Sequence, residues 1–372
     1  MGYNEELTPL RQRINEVDEQ LVPLFEARMA VSGEVAQVKE RHGMPVFDAA
    51  REDAVIARAV QRLSDPANAE ALRRFYRALM DISKQRQHER IVPAPAAEDT
   101  EGETGFLGLP GSFSHLAALA AFGAEGLRGF DTFEAMFVAL QQGEIARAIL
   151  PAENTDTGSI TAVVDLLAKY GFYIVAERLL AVTQSLLGIP GAMVEGVREV
   201  YTHPEPISQC SRYLSEHPAM RAIPALSTSQ AAMKVAELAD PAVACIASAQ
   251  AAPIYGLVVL AEGIQNSNGN RTRFVVVERQ PRLTPACDKT SIIFKVEHKP
   301  GSLNEVLRLF SEAGVNVLKL ESRPLRDRPF EYLFHLDFEG SAEDKNVAAV
   351  LEAARKATTE LIWLGSYPRQ TV

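Results

Sequence analysis

Two cations pose the first chemical question. Arg28 and Lys39 are eleven residues apart in a run where Leu10, Ile14, Val17, Leu21, Leu24, Val31, Val35 and Val38 recur at steps of four and three, with Arg28 filling the one gap. At about 100° per residue, eleven steps end within roughly 20° of whole turns, so both cations project from one face of a single helix. A guanidinium on an apolar seam is costly unless an anion meets it, either a buried carboxylate or a ligand. Arg11 lies about 100° off that face, a placement that suits a neighbouring chain's pocket better than its own. A second helical stretch adds Asp48, Arg51 and Glu52 at i, i+3, i+4, and a third adds Ser83 and Gln87 at i, i+4. Two cations on one face suit an anionic ligand as well as a structural ion pair.

Further along, polar residues gather where apolar runs meet loops. Ser112 and Ser114 follow a glycine turn in "GFLGLPGSFSHLAALAAFG", at a helix start whose free amides suit an anion. Glu153, Asn154 and Thr155 end the strand-like run in "ILPAENTDTGS", as a ligand crevice or as ordinary turn chemistry. "YTHPEPISQCSRYL" brings Ser208 and Gln209, and "LSTSQAAM" brings Ser227 and Thr228. In "NGNRTRFVVVER", Thr272 and Arg273 stand at the entrance of the strand that begins with Phe274.

The elements that must position these groups fall into three blocks. An all-helical pattern fills the first 91 residues, and its long first helix, about 35 residues or ~50 Å, exceeds what one small domain covers and implies an intertwined dimer. Pro23 falls inside that helix, where the ring removes a backbone donor and predicts a kink. Residues 92–104, "VPAPAAEDTEGET", carry Pro, Gly and four acidic residues without apolar period and read as a linker. From 105 to 280 short β-rich runs alternate with amphipathic helices, an α/β pattern in two lobes, 105–180 plus 258–280 and 181–257. From 289 to 372 the order βαββαβ is that of a ferredoxin-like sandwich.

The 372 residues carry 47% hydrophobic content and a formal charge of −10, which argues against nucleic acid or an anionic membrane as the main partner. Neither a membrane-length apolar run nor a signal-peptide layout is present, so a cytoplasmic setting is expected. Cys210, Cys245 and Cys287 lack disulfide or metal spacing, and the seven histidines lack metal-ligand spacing. No metal is expected, and glycines 108 and 111 do not form a dinucleotide fingerprint.

Residues 7–90 resemble the all-helical chorismate mutases through "PLRQRI", "EAR", "VAQVK", "PVFDAARE" and "DISKQRQ". The resemblance implies a pocket lined by Arg11 of a partner chain, Arg28, Lys39, Arg51, Glu52, Ser83 and Gln87, with Asp48 beside them and Lys39 and Gln87 on the ether oxygen. Residues 105–279 resemble prephenate dehydratase, a two-lobed fold of the periplasmic-binding-protein layout. This implies that Thr272 helps the leaving hydroxyl depart and that Arg273 binds a carboxylate or braces the site. By the same resemblance Glu153, Asn154 and Phe274 belong to the substrate site, while Ser112, Ser208, Gln209, Ser227 and Thr228 line the cleft. Glu205 stands where the family's "HPQ" has glutamine.

The C-terminal block resembles the ACT regulatory domain through "PGSLNEV" and "ESRP", with GSLN in place of the usual GALV. That implies an L-phenylalanine site at a subunit interface, formed by Gly301, Ser302, Leu303, Asn304, Glu321, Ser322, Arg323 and Pro324. The combination implies a bifunctional, cofactor-free enzyme of phenylalanine biosynthesis, a homodimer or higher homo-oligomer, taking chorismate and prephenate under phenylalanine feedback. Arogenate as substrate and a catalytically silent amino-acid sensor are the alternatives.

Overall fold

The computed structural model describes residues 3–41, 49–88, 102–324 and 332–370. The chain divides into two compact units, Met1–Pro93 and Ala94–Val372.

The first unit holds three helices, α1 (Tyr3–Arg41), α2 (Ala49–Gln61) and α3 (Ala69–His88). The helical assignment of α1 continues for 39 residues through Pro9 and Pro23. Met29, Leu79 and Met80 are buried on α1 and α3. The seam residues Leu10, Ile14, Val17, Leu21, Leu24, Val31, Val35 and Val38 are instead 42% to 68% exposed on the single chain.

The second unit begins with β1 (Thr104–Leu107), α4 (Phe113–Phe122), β2 (Leu127–Phe130), α5 (Phe133–Gln142) and β3 (Arg147–Asn154). It continues through β4 (Gly158–Ser159), α6 (Thr161–Tyr170) and β5 (Tyr173–Ala181). The chain then crosses to β6 (Ser185–Gly188), β7 (Glu199–Thr202), α7 (Pro204–Gln209), α8 (Ser211–Glu216) and β8 (Arg221–Pro224). After α9 (Thr228–Leu238), β9 (Val243–Ala247), α10 (Ala251–Tyr255) and β10 (Val258–Ala261) it returns as β11 (Arg271–Glu278). The first sheet has the order β2-β1-β3-β11-β5 with β4 on β3, and the second β10-β6-β9-β7-β8. Because β10 pairs with β6, it belongs to the second sheet; the expected division, which gave 258 onward to the first lobe, is corrected to a return crossing after Ala261.

The remainder runs β12 (Lys289–Lys295), α11 (Ser302–Glu312), β13 (Val317–Pro324), β14 (Tyr332–Glu339), α12 (Lys345–Ala357) and β15 (Glu360–Tyr367). Its antiparallel sheet, β13-β14-β12-β15, has the ferredoxin-like order. This sheet seats against the first sheet through β15 and β5. A Cβ on Gly365 would fall 2.3 Å from the Ile174 carbonyl oxygen, so only glycine allows the two backbones to approach so closely. Beside it the Tyr173 and Trp363 rings lie 5.4 Å apart.

Buried charge crosses the same seam. Arg273 donates through Nε to Glu177 Oε2 at 2.7 Å and through Nη2 to Tyr367 Oη at 2.9 Å, and its Nη1 lies 3.0 Å from Asp337 Oδ2. Lys289 Nζ reaches the same Glu177 oxygen at 2.9 Å, and Ser291 donates to Asp337 Oδ1 at 2.6 Å. Burial opposes ionisation of Asp337, but Arg273, His335 and Lys289 outweigh it and hold its carboxyl well below the ordinary range. Burial likewise opposes the Arg273 charge, and Tyr367, Asp337 and Glu177 overcome it.

Asp337→Asn leaves Arg273 and Lys289 short of one counter-charge. Breaking a buried pair costs about 3 to 5 kcal/mol, so the urea midpoint read from Trp363, the sole tryptophan, is expected to fall. A depressed carboxylate contributes fully above its unfolded value, about 3.9, and loses that contribution as pH falls through the folded one. The deficit of the variant should therefore hold at neutral and mildly acidic pH and close only in stronger acid.

Candidate active sites

In the helical unit the structure brings Arg28 and Ser83 together. Arg28 Nη1 donates to Ser83 Oγ at 2.5 Å and to the Leu79 carbonyl at 3.4 Å, while Ser83 Oγ donates to the Leu79 carbonyl at 2.9 Å. Ser83 is buried and Arg28 half-buried, so the cation stands at the inner edge of the α1–α3 contact and not in open solvent. Arg51 and the half-buried Glu52 lie in the first turn of α2, and Arg11 is exposed on α1. Asp48 lies outside the described residues, and of Lys39 and Gln87 the description covers only the backbone, on α1 and α3.

In the larger unit the centre is a cross-strand pair. Thr272 on β11 sits in register with Asn154 on β3, and both are buried. Asn154 Nδ2 donates to Thr272 Oγ1 at 2.9 Å and to Asn270 Oδ1 at 2.7 Å. Asn154 Oδ1 accepts from the Asp156 and Thr157 amides at 3.0 and 3.1 Å, an Asx turn that closes β3. The Asn154 nitrogen has no lone pair to offer, so Thr272 is the acceptor in their bond and its own proton stays uncommitted among the described residues.

Side chains alternate along a strand, so the neighbours of Thr272 part company. Arg273 turns to the opposite face, into the buried network with Glu177, Asp337 and Tyr367. Of its two expected roles, the geometry is that of a brace and not of a carboxylate binder. Phe274, expected at the substrate site, is 1% exposed and packs in a core cluster with Phe106, Ala117, Ala118 and Ile149; it anchors the strand. Glu153 is half-exposed and pairs with Lys319 at 3.1 Å and Arg273 at 3.5 Å.

Ser112 caps α4, accepting from His115 N at 3.2 Å and donating to the Leu107 carbonyl at 3.1 Å. Gly111 N donates to His115 Nδ1 at 3.1 Å, and burial lowers the pKa of that imidazole, which is therefore neutral with its proton on Nε2. This loop meets the second lobe: Ser248 Oγ donates to the Gly111 carbonyl at 3.2 Å and Tyr255 Oη to the Pro110 carbonyl at 2.7 Å. A Cβ on Gly111, at φ +83°, would stand 3.1 Å from Ala251 Cβ.

Ser227 caps α9 by accepting from Gln230 N at 3.1 Å, with Thr228 half-buried after it. Gln209 accepts from Gln184 Nε2 and donates to Glu205 Oε1, both at 3.2 Å, so Glu205 engages Gln209 where the family pattern has glutamine. Ser208 is exposed, and its carbonyl accepts from Asn266 Nδ2.

In the C-terminal sheet a cavity of about 230 Å³ is lined by Val296, Glu297, His298, Lys299, Ser302, Leu303, Tyr332 and Phe334. Gly301 precedes α11 at φ +88°, and the buried Ser302 Oγ has no hydrogen-bond partner among the described residues. Asn304 is exposed. The edge strand β13 alternates: Leu318, Leu320, Ser322 and Pro324 face outward, while Lys319, Glu321 and Arg323 turn inward. Lys319 donates to Glu153 and to Ser159 Oγ at 2.6 Å, Glu321 pairs with Lys319 at 3.5 Å, and Arg323 donates to Asp165 Oδ2 at 2.9 Å. Of the "ESRP" residues, only Ser322 and Pro324 lie on the open face.

Three family models match in succession: chorismate mutase type II over residues 10–88, prephenate dehydratase over 104–282 and the ACT domain over 290–356. The bifunctional chorismate mutase/prephenate dehydratase of Escherichia coli K12 is 31% identical, with the match covering 100% of this chain and 98% of that one. The chain belongs to the bifunctional chorismate mutase/prephenate dehydratase family. As a member it carries both enzyme domains and the ACT domain. An arogenate dehydratase/prephenate dehydratase 1 of Arabidopsis thaliana is 37% identical over 74% of each chain. A prephenate dehydratase from Arthrobacter aurescens, solved in complex with L-Phe, is 31% identical with a TM-score of 0.66, covering 72% of this chain and 90% of that one.

Sequence reasoning missed Asn270 and Lys319. The signal for Asn270 was its place two residues before Thr272, on the same side of an extended chain; that for Lys319 was its parity with Glu321 and Arg323. For the mutase domain, Ser83→Ala is expected to release Arg28 from its hydroxyl partner. A hydrogen bond to a charged group is worth about 1.5 to 3 kcal/mol, so chorismate turnover should fall roughly 10- to 100-fold, with prephenate turnover unchanged in the same preparation.

Proposed function

We propose that the helical domain rearranges chorismate to prephenate by holding it between fixed charges, and that the α/β domain converts prephenate to phenylpyruvate with Thr272 assisting departure of the hydroxyl. The rearrangement is pericyclic and needs no acid, base or nucleophile, so its catalysis is orientation plus charge stabilisation. Arg28 meets one carboxylate, Arg11 of a second copy and Arg51 complete the anion's surroundings, and Lys39 and Gln87 face the ether oxygen, with Asp48, Glu52 and Ser83 holding these groups. The exposed α1 seam supports a homodimer in which that helix is shared.

In the dehydratase step the carboxylate on the ring carbon leaves as CO2, its bonding electrons form the aromatic ring, and the ring hydroxyl departs as water with one added proton. The product ring makes the reaction strongly downhill, so a hydrogen bond or proton to the departing oxygen suffices. The observation that carries this reading is the Thr272 hydroxyl, which accepts from Asn154 while its own proton has no acceptor among the described residues. Ser112, Ser208, Gln209, Ser227 and Thr228 complete the cleft in this reading, while Glu153 acts from the opposite face, where it pairs with Lys319 and Arg273. Thr272→Ala should remove most phenylpyruvate formation while chorismate consumption persists, followed in one coupled assay; equal loss of both activities would contradict separate sites.

A second substrate, arogenate, is favoured by the 37% identity to the Arabidopsis relative, whose name carries both dehydratase activities. L-Phenylalanine is the proposed effector, supported by the Arthrobacter structure holding that amino acid and by the cavity at Ser302 and Leu303. In this reading Gly301 gives the amino acid backbone access, and Ser322 and Pro324 approach from the neighbouring copy. Glu321 and Arg323 act from the inner face, where β13 touches Glu153 and Asp165. Calorimetry of the full chain with L-phenylalanine should show saturable heat, and none at millimolar ligand would reject the effector. The corresponding ranges are 1–91 for the mutase, 92–104 for the linker, 105–280 for the dehydratase and 289–372 for the ACT domain. Three buried free cysteines support a reducing, cytoplasmic setting, and no described helix is long and apolar enough to cross a membrane.

A further inference from the structure

We propose that Asn270 is a positioning residue of the dehydratase site, locking the Asn154 carboxamide so that Thr272 can only donate its proton towards the cleft. This rests on the reading of Thr272 given above. The orientation of Asn154 is set by its surroundings: its Oδ1 faces the Asp156 and Thr157 amides, which cannot accept, so a flipped carboxamide would put donors against donors. Thr157 Oγ1 adds a third donor at 3.3 Å. The two protons on Nδ2 must then find two acceptors at a buried site. Thr272 Oγ1 is one, and Asn270 Oδ1, at 2.7 Å, is the other.

Asn270 is itself fixed. It is 4% exposed, and its carbonyl accepts from Val182 N at 2.9 Å, at the point where the chain leaves the first lobe. The residues beside it are tied to the end of β3, since Thr155 N donates to the Arg271 carbonyl at 3.0 Å and Arg271 N donates to Thr155 Oγ1 at 3.0 Å. Without the Asn270 acceptor, one Asn154 proton is orphaned in a buried place, and the carboxamide gains a reason to turn away from Thr272. The same donation polarises the threonine hydroxyl, so the Asn270–Asn154–Thr272 chain both aims the proton and makes it easier to give up.

The test is a double-mutant cycle in the full-length protein, with prephenate as substrate and mutase turnover and thermal unfolding as controls. Asn270→Ala should lower kcat roughly 10- to 100-fold, the scale of a misplaced catalytic group, with KM changed less than about threefold. Asn270→Asp keeps an acceptor oxygen and should stay within about fivefold of the parent kcat. In a Thr272→Ala background, Asn270→Ala should add almost nothing, because its effect passes through the missing hydroxyl. Equal loss in both backgrounds, a change confined to KM, or an aspartate variant that folds normally but is as slow as the alanine variant would overturn the positioning role alone. Undiminished turnover of Thr272→Ala by itself would overturn the Thr272 reading and the relay with it.

Discussion

The larger unit depends on one buried guanidinium. Arg273 is held by Glu177 from its own sheet and by Asp337 and Tyr367 from the ACT sheet, so one side chain joins two domains. A charge taken out of water is stable only when its counter-charges are complete and well oriented. Here Lys289 shares Glu177 and approaches Asp337, so two cations and two carboxylates must all be present for any one of them to be tolerated. Strand alternation carries this constraint to the chemistry: with Arg273 pinned below the sheet, Thr272 has nowhere to project but the other face.

The two active regions solve different problems with the same economy of means. In the mutase domain two helices hold a cation, Arg28, against a hydroxyl and a carbonyl. In the dehydratase domain a buried carboxamide, that of Asn154, has its donors on Thr272 and Asn270 and its acceptor on the Asp156 and Thr157 amides. Neither threonine nor asparagine is a notable acid or base alone. What sets these three apart is burial with nearly every donor and acceptor paired, which the Asx turn at the end of β3 and the Val182 contact help to fix.

Much of the architecture was legible because period and order are written locally. The seven-residue recurrence along α1, the strand runs at 147–150 and 274–277, and the βαββαβ order each follow from side-chain spacing. What escaped were properties of pairing. Nothing in "NRTRF" says which of two adjacent polar residues meets Asn154 and which enters the buried charge network until β11 is seen in register with β3 and β5. Phe274 read as part of a site motif, yet hydrophobic burial decides its place. "ESRP" read as one motif, but a strand divides it between two faces. The lobe boundary failed for the same reason, because Val258–Ala261 is β-rich wherever it pairs, and only β6 fixes its sheet.

Gly365 gives the regulatory sheet its mechanics. Where its backbone lies on Ile174 there is no layer of side chains to shear, so that edge is held as a bearing. The opposite edge, β13, stands three strand spacings away, about 14 Å, and carries Lys319 and Arg323 to Glu153 and Asp165. On a lever of that length a rotation of only about 5° moves the far strand roughly 1 Å, enough to stretch these ion pairs to about the 4 Å limit of direct contact. The domain is thus seated backbone to backbone at one edge and tied by charge at the other, to Asp165 and to the carboxylate that precedes Asn154.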